Sequence, residues 1–173
     1  MKIKTISLGF LIALFVCIAP SYSSAYFTTG QTDTKIGDSA AIFTIEYAFG
    51  LPEQDIYMPV IAERNLAWES SEHKLGYSIR DNENDEVTQH GKTVGIVLSS
   101  APIVDGMYKI SKDTAQKMTL VVVLSTTDTE KGSYKLQVDQ LPYYVDIGEK
   151  ELQVRQLNPS ELTYYVTSPV TFK

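Results

Sequence analysis

The sequence predicts an all-β fold, a single antiparallel β-sandwich of about seven to nine strands spanning residues 26–173. Three observations predict it. Apolar residues recur with period two in several separate runs, as strands covering a core on one side require. Turn signals divide these runs at the spacing typical of a sandwich. Beyond the first 25 residues, no stretch holds a helical period longer than about three turns.

Taken in order, residues 26–32 read as an edge strand or a short lead. In Ala41–Phe49 the positions Ala41, Phe43, Ile45, Tyr47 and Phe49 share one face, with Thr44 and Glu46 on the other. Gly50-Leu51-Pro52 closes that run, and Ile56–Ala62 follows as a further strand. Glu63–Ser71, with Leu66, Ala67 and Trp68, is expected to form one or two helical turns. Leu75, Tyr77 and Ile79 alternate with Gly76, Ser78 and Arg80, and the polar run Asp81–Asp85 makes a hairpin tip that sets Ile79 opposite Val87. Thr93–Leu98 and Met107–Ile110 read as strands, the latter entered through Asp105-Gly106. Leu120–Leu124 is apolar throughout, which suits a central strand buried on both faces or twisting at its ends. Tyr134, Leu136 and Val138 alternate with Lys135, Gln137 and Asp139 after the turn Glu130-Lys131-Gly132. Leu152–Leu157 and Leu162–Phe172 complete the set, divided from their neighbours by Ile147-Gly148 and Asn158-Pro159-Ser160.

The first 25 residues concern destination. Lys2 and Lys4 form a positive n-region, and Ile6–Ile18 is an apolar segment broken only by Ser7 and Gly9. Pro20 follows, and Ser23-Ser24-Ala25 supplies the small residues that a signal peptidase reads. Cleavage after Ala25 is expected, with 1–25 a signal peptide and the mature chain secreted or held in the periplasm or cell envelope. The run from Phe10 to Ala19 is far short of the roughly 20 apolar residues that span a bilayer, so no membrane span is expected in the mature chain. Leu14-Phe15-Val16-Cys17 loosely resembles a lipobox, but Val16 stands where a small residue belongs.

Cys17 is the only cysteine, so a mature chain of about 148 residues has no disulfide and stands on packing alone. Two of the fifteen basic residues and none of the 21 acidic ones lie in 1–25; the mature balance is 13 against 21, a net of −8. An acidic chain without a Lys/Arg cluster argues against nucleic acid or an anionic membrane as the main partner.

One local pattern carries a family likeness. Glu130-Lys131-Gly132-Ser133-Tyr134-Lys135-Leu136-Gln137-Val138 resembles the sixth-strand signature of immunoglobulin-like domains, where a polar turn and a Gly precede a Tyr, with a core residue two places on. The resemblance implies an immunoglobulin-like sandwich in which the Tyr134 hydroxyl bonds back to the backbone. It also implies that Leu136 takes the place of the family's cysteine, with Ile45 its partner across the core. The motif covers nine residues, and Trp68 lies too far from Ile45 to take the family's core tryptophan role. For function, the likeness implies adhesion, partner binding or a spacer role.

No catalytic constellation emerges. His73 and His90 flank the hairpin centred near Glu83 on opposite faces, about 10 Å apart, and read as solvated strand residues. Ser99 and Ser100 lack a nucleophile elbow and a histidine base. The carboxylates Asp81, Glu83, Asp85, Glu86, Asp128, Glu130, Glu149 and Glu151 fall mostly at turns. Alternating oxygens of Asp81, Glu83 and Asp85 could converge on calcium, the one cofactor the sequence suggests, although Glu86 stands where an EF-hand loop needs glycine and Lys92 where it needs a bidentate Glu. Ten tyrosines remain after residue 25; in Tyr143-Tyr144 and Tyr164-Tyr165 alternation puts one ring inward and one outward. Leu141-Pro142-Tyr143-Tyr144-Val145 is the expected exposed apolar patch, with Leu141, Tyr143 and Tyr144 meeting a partner. The function expected is a secreted, non-enzymatic interaction or structural module that binds a protein or a glycan. The alternatives are a calcium-stabilised glycan-binding domain and, more remotely, a carboxylate-based hydrolase.

Overall fold

A computed structural model describes residues 27–37, 39–65, 73–87, 91–126, 131–148, 151–157 and 159–173. The export signal with Cys17, the expected helical turn around Trp68, and His90, Asp128, Glu130 and Glu149 lie outside the described residues.

The described chain is nearly all β. Its strands are β1 (Phe27–Ile36), β2 (Ala40–Phe49), β3 (Ile56–Pro59), β4 (Ile61–Arg64), β5 (Lys74–Arg80), β6 (Lys92–Ser99) and β7 (Ile103–Val104). They continue with β8 (Met107–Ile110), β9 (Gln116–Ser125), β10 (Gly132–Gln140), β11 (Pro142–Asp146), β12 (Leu152–Gln156) and β13 (Val170–Phe172); one helical turn, α1, spans Pro159–Leu162. Eight strands form one sheet in the order β1-β2-β9-β6-β4-β5-β10-β13, and five form a second in the order β12-β11-β3-β8-β7. The larger sheet curls like an open barrel, its end strands β1 and β13 approaching to within 8 Å between Cα atoms.

The strands outnumber the expected seven to nine for a physical reason. Two continuous segments belong to both sheets: β3 turns into β4 at Val60, and β10 turns into β11 at Leu141. The pairing is antiparallel throughout, except that β4 and β5 run parallel.

Between the sheets lies one core. The period-two sets of β2 (Ala41, Phe43, Ile45, Tyr47, Phe49), of β5 (Leu75, Tyr77, Ile79) and of β10 (Tyr134, Leu136, Val138) are all buried in it. Ile56, Met58, Tyr108, Ile110, Tyr143 and Val145 meet them from the smaller sheet. The central strand β9 alternates: Leu120, Val122 and Leu124 are buried, whereas Val121 and Val123 are half-exposed on the outer face. The run of five apolar residues therefore does not mark burial on both sides.

Local chemistry accounts for the turns. Asp105 and Gly106 both have positive φ, 50° and 78°, and join β7 to β8 with Val104 opposite Met107, the two-residue hairpin that Asp-Gly favours. The expected hairpin register holds, because the Val87 N–H donates to the Ile79 carbonyl at 2.8 Å. Two expectations are corrected. Glu63 and Arg64 end strand β4 instead of opening a helical turn. Leu162–Phe172 is not one strand: Pro159 opens α1, residues 165–167 bond to β10, and β13 starts only after Pro169, which has no N–H for the ladder.

Candidate interaction surface

Asp81, Glu83 and Asp85 sit at the tip that follows β5, and their geometry is that of a self-capped turn. One Asp81 carboxylate oxygen accepts the N–H groups of Glu83 and Asp85, each at 2.9 Å. The Arg80 guanidinium donates to the Asn84 carbonyl at 3.1 Å, so a fixed positive charge takes an oxygen that a cation would use. Among the described residues no three His, Cys, Asp or Glu side chains are grouped to hold a metal ion. The tip is built by Asp and Asn acting as turn formers.

The exposure expected at Leu141–Val145 is corrected. Leu141, Tyr143 and Tyr144 are all buried. The alternation is real, because Tyr143 enters the main core while Tyr144 joins a small cluster with Tyr57 and Met107 on the opposite face of the smaller sheet. That face is covered too: the His73 ring stacks on Tyr144 at 4.9 Å between centroids, and the His73 N–H donates to the Tyr144 hydroxyl at 2.8 Å. Beside the cluster, Lys109 lies 5.8 Å from the Tyr57 ring centroid and 2.7 Å from a carboxylate oxygen of Asp55. The other Asp55 oxygen accepts the Lys112 N–H at 2.8 Å. Held by these bonds, Asp55 titrates below the usual carboxylate range, and Lys109 above the usual amine range. In the second pair, Tyr165 is buried and Tyr164 exposed.

Ser99 is occupied by local structure. Its hydroxyl donates to the Lys117 carbonyl at 3.1 Å and accepts the Ala101 N–H at 3.1 Å. No general base is brought to it among these contacts.

The feature that sequence reasoning missed is on β6. In Thr-Val-Gly-Ile-Val-Leu the larger apolar phase, Val94, Ile96 and Leu98, points away from the core and is 67%, 45% and 48% exposed. The inward phase is Thr93, Gly95, Val97 and Ser99, of which Val97 alone is buried. The reason lies beneath the strand: the Tyr77 ring occupies the space under Gly95, and a larger side chain there would displace it.

Register makes the exposed phase continuous with its neighbours. Val94 stands opposite Val123, and Val123 opposite Ile42; Ile96 stands between Val121 and Ile61. Ile42 is 40% exposed and Ile61 is 52% exposed. An aliphatic surface thus crosses four adjacent strands, β2, β9, β6 and β4, with Thr44 and Thr119 completing it. Two ion pairs flank it: Glu46 with Lys117 at 2.8 Å, and Glu63 with Lys74 at 2.6 Å. Scattered exposed aliphatics are normal on a protein surface, whereas these form one contiguous apolar face with a polar border.

No helix among the described residues is long and apolar enough to cross a membrane. No family model matches the chain, and no curated protein matches it. A solved structure described as the X-ray structure of Northeast Structural Genomics Consortium target SoR45 is similar over 86% of this chain and 82% of that one, at 12% identity and a TM-score of 0.35.

Proposed function

We propose that this chain is an exported, non-enzymatic interaction module that docks a protein partner through the outer face of its eight-stranded sheet. The observation that carries the reading is the reversed phase of β6, which turns Val94, Ile96 and Leu98 to solvent in line with Ile42 and Ile61. Leaving so many aliphatic side chains in water forgoes their burial, worth roughly 1.5–3 kcal/mol for each one fully covered, unless a partner covers them. A protein suits this face better than a glycan does, because its centre is aliphatic and presents neither aromatic planes nor hydrogen-bonding side chains beyond two threonines. Export rests on Lys2, Lys4, the apolar segment to Ile18 and the small residues before Tyr26.

The immunoglobulin-like character belongs to the same proposal. What supports it is Tyr134, whose ring lies over Gly132: a Cβ on that glycine would stand 3.1 Å from the Tyr134 hydroxyl. Leu136 and Ile45 are both fully buried in the common core. A photo-reactive amino acid in place of Ile96, expressed in the native cell, tests the docking face. One defined protein adduct is expected there and none from the same probe at Val154 on β12. Equal capture at both positions, or none at either, overturns the reading.

A further inference from the structure

Resting on that reading of the outer face, we infer that its occupant is a second copy of this chain, packed sheet to sheet about a twofold axis. The whole chain carries a net of −6, so two copies repel each other wherever their acidic surfaces meet. The aliphatic face is where they do not, since Ile42, Ile61, Val94, Ile96 and Leu98 carry no charge for a copy to oppose.

The two flanking ion pairs then give the face a self-complementary pattern. Lys74 stands opposite Ile61, and Glu63 lies two residues along β4 from Ile61, level with Val94. Glu46 stands opposite Thr119 at the level of Leu98, and Lys117 lies two residues further along β9. The pairs therefore occupy diagonally opposite corners of the patch. In both, the step from Glu to Lys runs in the same direction, across the diagonal that joins the pairs. A twofold axis lying in the plane of the face along this diagonal passes through both pairs. It lays each Glu over the Lys of the same pair in the second copy, the isologous arrangement that a symmetric dimer requires.

Strand geometry fixes how the copies cross. From one pair to the other the diagonal covers about three strand spacings and about four residues, roughly 14 Å each way. It runs midway between the strand direction and its perpendicular, so strands of the two copies cross near 90°, one of the two ways in which sheets pack. Ile96 lies beside the axis and faces its own counterpart.

Size sets the strength. The aliphatic centre covers about 19 by 17 Å, roughly 300 Å² in projection, from strand spacing and rise. A stable interface buries about 800 Å² on each partner, so the polar border must supply more than half. The dimer is accordingly weak and depends on concentration. Exposed ion pairs add little affinity, so they orient the copies while the aliphatic centre holds them.

Sedimentation velocity of the purified protein, from low micromolar concentration upward, tests the inference. A reversible monomer–dimer equilibrium is expected. Ile96→Asp sets two like charges beside the axis and should weaken the dimer by about tenfold or more, a change of about 1.4 kcal/mol. Glu63→Lys should weaken it too, and adding Lys74→Glu should restore it, a rescue that does not depend on how Ile96→Asp folds. A protein that stays monomeric at the highest concentration, or a dimer indifferent to Ile96→Asp and Glu63→Lys, overturns the inference. The photo-probe at Ile96 separates it from the broader reading. Adducts between two copies joined at Val94–Leu98 support the dimer. Adducts with a different protein overturn the dimer and leave the docking face standing; no adduct overturns both.

Discussion

The Tyr77 ring occupies the space that a Cβ on Gly95 would need: the Cβ position lies 2.6 Å from Tyr77 Cε1 and 3.0 Å from its hydroxyl. The two residues sit on β5 and β6 on either side of β4, where the small Ala62 stands opposite Gly95 and Arg64 opposite Tyr77. Gly95→Ala should destabilise the fold by about 1–3 kcal/mol, the usual cost of overpacking. Urea unfolding measures it, and a double-mutant cycle attributes it: in a Tyr77→Ala background the alanine should cost little.

Gly91 poses a related constraint at the entry to β6. Its φ is +71°, and a Cβ there would stand 2.5 Å from Leu124 Cδ1 and 3.0 Å from the Ser125 carbonyl. Backbone strain and crowding add, so Gly91→Ala should cost about 2 kcal/mol or more. Comparing unfolding midpoints of wild type, Gly91→Ala and Gly106→Ala checks the crowding component. Gly106 also has positive φ but nothing within 4 Å of its Cβ position, so it reports strain alone.

Tyr47 and Tyr165 give an opposite expectation. Their rings pack at 6.2 Å between centroids, and neither buried hydroxyl has a hydrogen-bond partner among the described residues. Burial pushes both hydroxyls up, Tyr165 to about 12 and Tyr47 further, Tyr165 itself adding to the rise at Tyr47. Tyr47→Phe should therefore leave stability unchanged or raise it by about 1 kcal/mol, since the hydroxyl is desolvated without return. A loss of about 1 kcal/mol or more would mean the hydroxyl is in fact satisfied.

The same pair shapes the alkaline limit. A tyrosine whose folded pKa is raised contributes stability that is complete below its unfolded value of 10.0 and lost as pH climbs through the folded value. Thermal melts should fall above about pH 10, and less steeply in Tyr47→Phe.

Asp55 governs part of the acid limit. Lys109 and the Lys112 N–H hold its folded pKa down, so its contribution is present above the unfolded carboxylate value of 3.8 and lost as pH falls toward the lower folded one. Asp55→Asn should flatten the loss of melting temperature below about pH 4 while lowering the plateau at neutral pH. An unchanged acid slope would remove Asp55 from that role.

How much of this was legible follows from what a period-two pattern encodes. It fixes which residues share a face, and β2, β5 and β10 read correctly because their large residues share one phase that meets the core. On β6 the phase was visible but its direction was not, since Gly95 is inward for the sake of a tyrosine on another strand. At Leu141–Val145 both phases are apolar, and the cover over Tyr144 comes from His73, 71 residues away. The segment Leu162–Phe172 misled because Pro159, ahead of it, opens a helical turn that takes in Leu162, and Pro169 within it delays β13. At the tip after β5, the sequence shows the run of oxygens but not the Arg80 guanidinium that folds back onto the Asn84 carbonyl.

The two segments that pass from one sheet to the other at Val60 and Leu141 also bear on how the protein comes apart. Each is a single run of backbone whose ends are held in different layers, so peeling one layer away pulls on the hydrogen bonds of the other. The layers cannot open as separate foldons, and the slowest-exchanging amides of β5 and β10 should share one opening free energy with those of β3 and β11. Strain applied to one layer is therefore carried by both.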